Sequence, residues 1–130
     1  MPTHKITRSY TDESNQAVGS LTESIVDSSA VNADITVAVG TNLEKDIPKI
    51  LHANMKSLLL VSSGDLTVKT NSSGSPDNVI TLAAGVPLIW SLSQDGSGAN
   101  PFGAADVTKL YCTNAGGVPV TFKLRTVCSV

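Results

Sequence analysis

The sequence predicts an all-β chain, folded as an antiparallel β-sandwich of about eight strands. Three observations point there. Apolar and polar residues alternate with period two in several stretches, the pattern of strands buried on one face. Clusters of Gly, Ser, Asn, Asp and Pro interrupt those stretches at close intervals. Only 15% of the residues are charged, and Ser, Thr, Asn and Gly fill the gap, a composition that suits strands and turns better than exposed helices. With 130 residues the chain makes one domain. At that size folding buries roughly two-thirds of the unfolded surface, enough for a core without disulfides or metal.

The elements follow in order. Residues 1–30 read as an N-terminal arm with a first strand over Ile6, Arg8 and Tyr10, and residues 31–130 as the sandwich. Thr11 to Gln16 is polar and turn-like. Val18, Leu21, Ile25 and Val26 have a spacing that would also suit a helix, but the surrounding Ser and Thr favour an extended or irregular segment. Ile35, Val37 and Val39 alternate with Thr36 and Ala38 in a half-buried strand, which Gly40-Thr41-Asn42 closes. Leu43, Ile47, Ile50 and Leu51 match a helical stripe, yet Pro48 lies inside it, so an extended reading is preferred. Leu58 to Val61 suits a strand buried on both faces; the turn Ser63-Gly64-Asp65 then leads into Leu66 and Val68, which together read as a hairpin.

Asn71 to Asn78 is a polar loop and Val79 to Leu82 a short strand. Val86, Leu88 and Trp90 alternate in the next, where Pro87 belongs at a strand start or on an edge. Ser93 to Gly103 is the longest loop. Lys109 to Thr113 forms a strand, and Asn114-Ala115-Gly116-Gly117 turns it into the last, where Val118, Val120, Phe122 and Leu124 point inward. This is the cleanest alternation in the chain and reads as a terminal hairpin. Two sheets packed as a jelly roll use eight strands. An immunoglobulin-like sandwich is the alternative, but Trp90 precedes both cysteines, Cys112 and Cys128, and breaks that fold's usual order. Ala84-Gly85-Val86-Pro87-Leu88 and Gly116-Gly117-Val118-Pro119-Val120 use one turn-to-strand solution twice.

The residues that carry chemistry are sparse. His4 and His52 are the only histidines, too few with the scattered carboxylates for a zinc site, so no cofactor or metal is expected. No Gly-x-Ser-x-Gly stands in a nucleophile setting, and Asp95-Gly96-Ser97-Gly98 lacks the Lys-Ser or Lys-Thr of a phosphate loop. No catalytic residues are assigned. Asp12-Glu13 and Glu44-Lys45-Asp46 read as solvated turns. The net charge is −2, with nine dispersed Lys and Arg residues, so nucleic acid is not an expected partner. No apolar run approaches the ~20 residues of a membrane span, so no membrane is expected either. The opening Met-Pro-Thr-His-Lys-Ile reads as cytosolic rather than exported. In a reducing compartment Cys112 and Cys128 read as two small buried thiols, although spacing alone does not exclude their pairing. Trp90, Asn100, Pro101 and Phe102 at the longest loop, with Ile6, Arg8 and Tyr10 in the arm, are the candidate interface residues; the other reading of Trp90, Pro101 and Phe102 is that they cap the core.

Four segments carry a family resemblance: Met55 to Asn71, Ile80 to Ser91, Asn100-Pro101-Phe102, and Lys109 to Gly116. As an ordered set over residues 55–127 they resemble small structural proteins of tailed-bacteriophage virions. The resemblance implies a compact jelly-roll sandwich acting as a capsid decoration, or cement, protein. It implies a homotrimer bound to the major capsid protein lattice on the virion surface, assembled in the host cytoplasm, with no catalytic residues and no cofactor. Deleting residues 1–15 is then expected to weaken capsid binding while the fold survives. The alternatives are a carbohydrate-binding module, stacking sugars on Trp90, Tyr111 and Tyr10, or a tail or connector module.

Overall fold

The computed structural model describes residues 3–11, 14, 17–27 and 29–129, with the backbone alone at residues 10, 11 and 17–20. β1 (Thr3–Thr11) and β2 (Ala17–Val26) pair with each other in a two-stranded antiparallel sheet. Eight further strands follow: β3 (Ser29–Val37), β4 (Gly40–Ile50), β5 (Met55–Ser62), β6 (Leu66–Thr70), β7 (Val79–Leu82), β8 (Leu88–Ser91), β9 (Val107–Asn114) and β10 (Val120–Cys128). They form two four-stranded sheets in the orders β3-β10-β5-β8 and β4-β9-β6-β7, with every pair antiparallel.

This order is the winding of a jelly roll. β3 lies beside β10, β4 beside β9, β5 beside β8 and β6 beside β7. These pairs are successive rungs of one long antiparallel ribbon closed by the 71–78 loop. Wrapping the ribbon sends alternate rungs to opposite sheets, and the apolar faces of the two sheets meet in a single core. Phe102, Phe122, Leu58, Leu60, Leu110 and Leu124 are among the fully buried side chains there.

The expected sandwich of eight strands is present, and the arm adds a strand pair of its own. Residues 17–26, read as extended or irregular, form β2, paired in register with β1 from Thr3↔Val26 to Tyr10↔Gly19. The extended reading of residues 43–52 holds through Ile50, where β4 ends. Pro48 sits on an edge strand, at a break in register between Asp46 and Ile50, where its missing N–H costs no ladder bond. Pro87 directly precedes β8, another edge strand.

Other local readings need correction. Residues 57–68 are not a hairpin, because β5 and β6 belong to different sheets and the turn 63–65 is a corner between layers. Leu60 and Leu66 both point into the core, but from opposite sides. Gly64 is required at this corner, since a Cβ there would lie 2.5 Å from Val120 Cγ1. The terminal hairpin is a corner for the same reason: β9 and β10 lie in opposite sheets. Inward alternation begins at Val120, and Val118 is 68% exposed in the turn before it. In β5, Leu58 and Leu60 face the core, while Leu59 and Val61 are only half-buried on the outer face. The segment read as one long loop contains a helical turn at Leu92–Asp95 and a 3-10 turn at Ser97–Ala99.

Candidate interaction surfaces

Alternation along β1 turns His4, Ile6 and Arg8 toward the sandwich and Thr3, Lys5 and Thr7 away from it. Ile6 and Ile25 are buried in a small apolar cluster with Val127, and Ile89 packs against it. The hairpin therefore lies over the outer face of the β3-β10-β5-β8 sheet, to which Ile89 and Val127 point.

Polar contacts lock it in place. The Arg8 guanidinium donates to both oxygens of Asp95, at 2.8 and 2.7 Å, and to the Ile89 carbonyl at 3.1 Å. On the paired strand, Glu23 accepts hydrogen bonds from Ser91 Oγ and Gln94 Nε2, at 2.5 and 2.7 Å, and from Ser93 Oγ. The Ser91 hydroxyl above all holds the Glu23 carboxyl below its ordinary range, and the Arg8 guanidinium does the same for Asp95. The helical turn at 92–95 creates this anchor: it places Ser91, Ser93, Gln94 and Asp95 on one side, facing the hairpin. Of these residues the sequence reading singled out Arg8 and Ile6. Glu23 and its serine partners were missed, because nothing local marks Ser91, at the end of β8, and Ser93, in the helical turn, as partners of a residue about seventy positions away.

The loop candidates behave differently. Trp90 is 2% exposed, and its indole Nε1 donates to the Gly96 carbonyl at 2.8 Å. Phe102 is wholly buried. Asn100 is also buried; its Oδ1 accepts the Phe102 N–H at 2.9 Å, and its Nδ2 donates to the Met55 sulfur at 3.4 Å. Pro101 is half-buried. The expectation of interface anchors here is corrected for Trp90, Asn100 and Phe102: the loop folds inward and caps the core. Tyr10 lies on β1 opposite Gly19, and its side chain is outside the described residues.

The surface features the sequence reading missed lie at the other end of the sandwich. The turns 38–39, 63–65, 83–87 and 115–119 gather there. They are tied by Gly85 N–H to Ser62 O (2.8 Å), Ser63 N–H to Thr121 O (3.0 Å) and Ala84 N–H to Asp65 Oδ1 (2.9 Å). Buried Asn114 donates from Nδ2 to the carbonyls of Val37 and Val118, and its Oδ1 accepts the Gly116 N–H. The two Gly-Val-Pro turns both open here. Val39, Val86 and Val118 are 51%, 57% and 68% exposed. Asp65 is the sole charged residue in the four turns.

Cys112 and Cys128 are free and buried, and desolvation pushes the Cys112 thiol up to about 11. His4 is half-buried, with its pKa lowered first by burial and then by Arg125; His52 is half-buried as well. Among the described residues, no three His, Cys, Asp or Glu side chains are placed to hold a metal, and no helix is long and apolar enough to cross a membrane.

No family model matches the chain, and no curated protein matches it. Among solved structures, the chain is similar to the solution NMR structure of a de novo designed double-stranded beta-helix. That likeness is 14% identical, covers 74% of this chain and 97% of that one, and has a TM-score of 0.44. The jelly-roll assignment above rests on the strand order of this chain alone.

Proposed function

We propose that this chain is a non-enzymatic virion protein of a tailed bacteriophage, a capsid decoration protein that binds the major capsid protein lattice as a homotrimer. The observation that carries this reading is the apolar turn end, where Val39, Val86 and Val118 stand exposed among turns with a single charge. Exposed apolar clusters on a rigid scaffold suit packing against another protein. The ordered motifs over residues 55–127 point the same way.

The sugar-binding alternative loses support because Trp90, its best stacking platform, lies in the core behind the 92–103 segment. A tail or connector role rests on no feature of its own.

Sedimentation velocity of the purified protein, followed by cosedimentation with empty capsids, tests the proposal. A discrete oligomer that saturates capsids at a lattice-like ratio supports it. A monomer that leaves capsids bare removes it. Val86→Asp combined with Val118→Asp replaces two exposed side chains, so the fold should survive while capsid binding falls.

A further inference from the structure

A cleft of about 690 Å³ runs between β1 and the outer face of the β3-β10-β5-β8 sheet. Five consecutive residues of β1, Thr3 to Thr7, line it. Residues of both alternating sets line the cleft, so it runs along an edge of the strand rather than under one face. Among the described residues that edge has no strand beside it: β1 pairs with β2 on one side only. Leu59 and Ile89 provide an apolar floor, and Lys5, His4 and Arg125 are the titratable groups that line it. Among the described residues no carboxylate does. Asp34 pairs with Arg125 at 2.6 Å from outside the lining. Ser57 is among the lining residues but is 2% exposed, and its buried hydroxyl has no hydrogen-bond partner among the described residues.

We propose that this cleft binds an extended acidic segment of a partner protein, which adds as a strand to the free edge of β1 and rests its alternate side chains on Leu59 and Ile89. An unpaired edge supplies main-chain hydrogen bonds, and the surface beneath it supplies selectivity. Lysine on an edge strand ordinarily blunts strand addition. Here Lys5 is exposed on the solvent side of the strand, where its charge selects for a carboxylate on the same side of an added strand. The same charge disfavours a second copy as occupant, because the exposed charge on β1 is Lys5, with no acid on the strand and Arg8 already paired with Asp95. Pairing two such edges opposes like charges. The proposal rests on the decoration reading for its partner, a segment of the capsid subunit.

The test is titration of the full-length, isotope-labelled protein with a capped peptide of alternating Glu and Val, about eight residues long as for an ordinary strand. The Lys/Val peptide of the same pattern is the control. The Glu/Val peptide should bind, perturb amides over residues 3–7 and 57–59, and slow amide exchange along β1. Lys5→Glu, at an exposed position, should weaken binding about fivefold or more. Equal binding of the two peptides, unprotected β1 amides, or indifference to Lys5→Glu overturns the proposal. Self-association that protects the same amides overturns it too and assigns the edge to a second copy. Cosedimentation of wild type and Lys5→Glu with capsids separates the two readings. Capsid binding without peptide binding removes the cleft proposal and leaves decoration standing. Peptide binding without capsid binding supports the cleft as a strand-addition site and removes decoration.

Discussion

Phe102 follows an Asn-Pro pair inside a segment full of Gly and Ser, and it is among the best-buried side chains in the molecule. Truncating such a ring leaves a cavity the rigid sheets cannot close. Phe102→Ala is therefore expected to cost about 3–5 kcal/mol, read from urea unfolding midpoints. Asn114 acts through hydrogen bonds instead, holding β3, β9 and the turn before β10 together. Asn114→Ala orphans the carbonyls it serves and should cost about 1–3 kcal/mol in the same assay. The buried thiols give a third readout. With the Cys112 pKa raised to about 11 by desolvation, a thiol reagent at neutral pH should modify the protein only as fast as it unfolds. Fast labelling of the native state would contradict the burial. The cysteine reading was legible from sequence, because small apolar residues in strand segments are usually buried. Phe102 read equally as an interface anchor or a core cap, and the choice depends on a loop folding back through Asn100 and Trp90, which no local pattern encodes.

The hairpin of residues 3–26 has the least support of its own among the elements. Two strands alone are marginal in water, so its order depends on docking. That docking comprises two buried isoleucines, each contributing at most about 1.5–3 kcal/mol, and the contacts of Arg8 and Glu23. The carboxylates make it sensitive to pH. Glu23 and Asp95 have lowered pKa values in the folded protein, so the unfolded or undocked state binds protons first as pH falls. Their stabilisation is complete above the ordinary carboxylate range and is lost as pH drops through the folded values. Amide exchange in β1 and β2 is expected to accelerate on acidification before exchange in β10 does. Simultaneous acceleration would mean that the hairpin and sandwich open as one unit. Glu23→Gln should reduce this pH dependence. The hairpin also changes the truncation to make. A cut after residue 15 would leave β2 without β1, so the clean deletion is residues 1–27. The remaining chain should still unfold cooperatively, because all eight jelly-roll strands lie beyond the cut.

At the scale of the whole molecule, the jelly roll separates two surfaces. The turn end presents uncharged apolar side chains, and the hairpin face presents a basic cleft beside an open edge. If capsid binding uses the turn end, the double aspartate variant should bind capsids at least tenfold more weakly with an unchanged unfolding midpoint, since burying a charge is costly. Loss of the midpoint as well would mean that the valines support the fold.

The sequence by itself determined where most strands lie and which of their side chains face inward, because alternation and turn chemistry are local and period two is unambiguous once one face is buried. Ile35 and Val37, Leu66 and Val68, and Phe122 and Leu124 all obey it. The turn read at Gly40-Thr41-Asn42 instead opens β4, and Val39 and Val118 are exposed. Only the tertiary structure decided which strand pairs with which. Both expected hairpins, at 63–65 and 115–119, proved to be corners between sheets. A tight turn with glycine serves either purpose, and the choice depends on the partner strand arriving from far along the chain, as β10 does at β3 and β5. The same non-local closure buried Trp90 and Phe102, exposed Val86 and Val118, and brought Glu23 to Ser91.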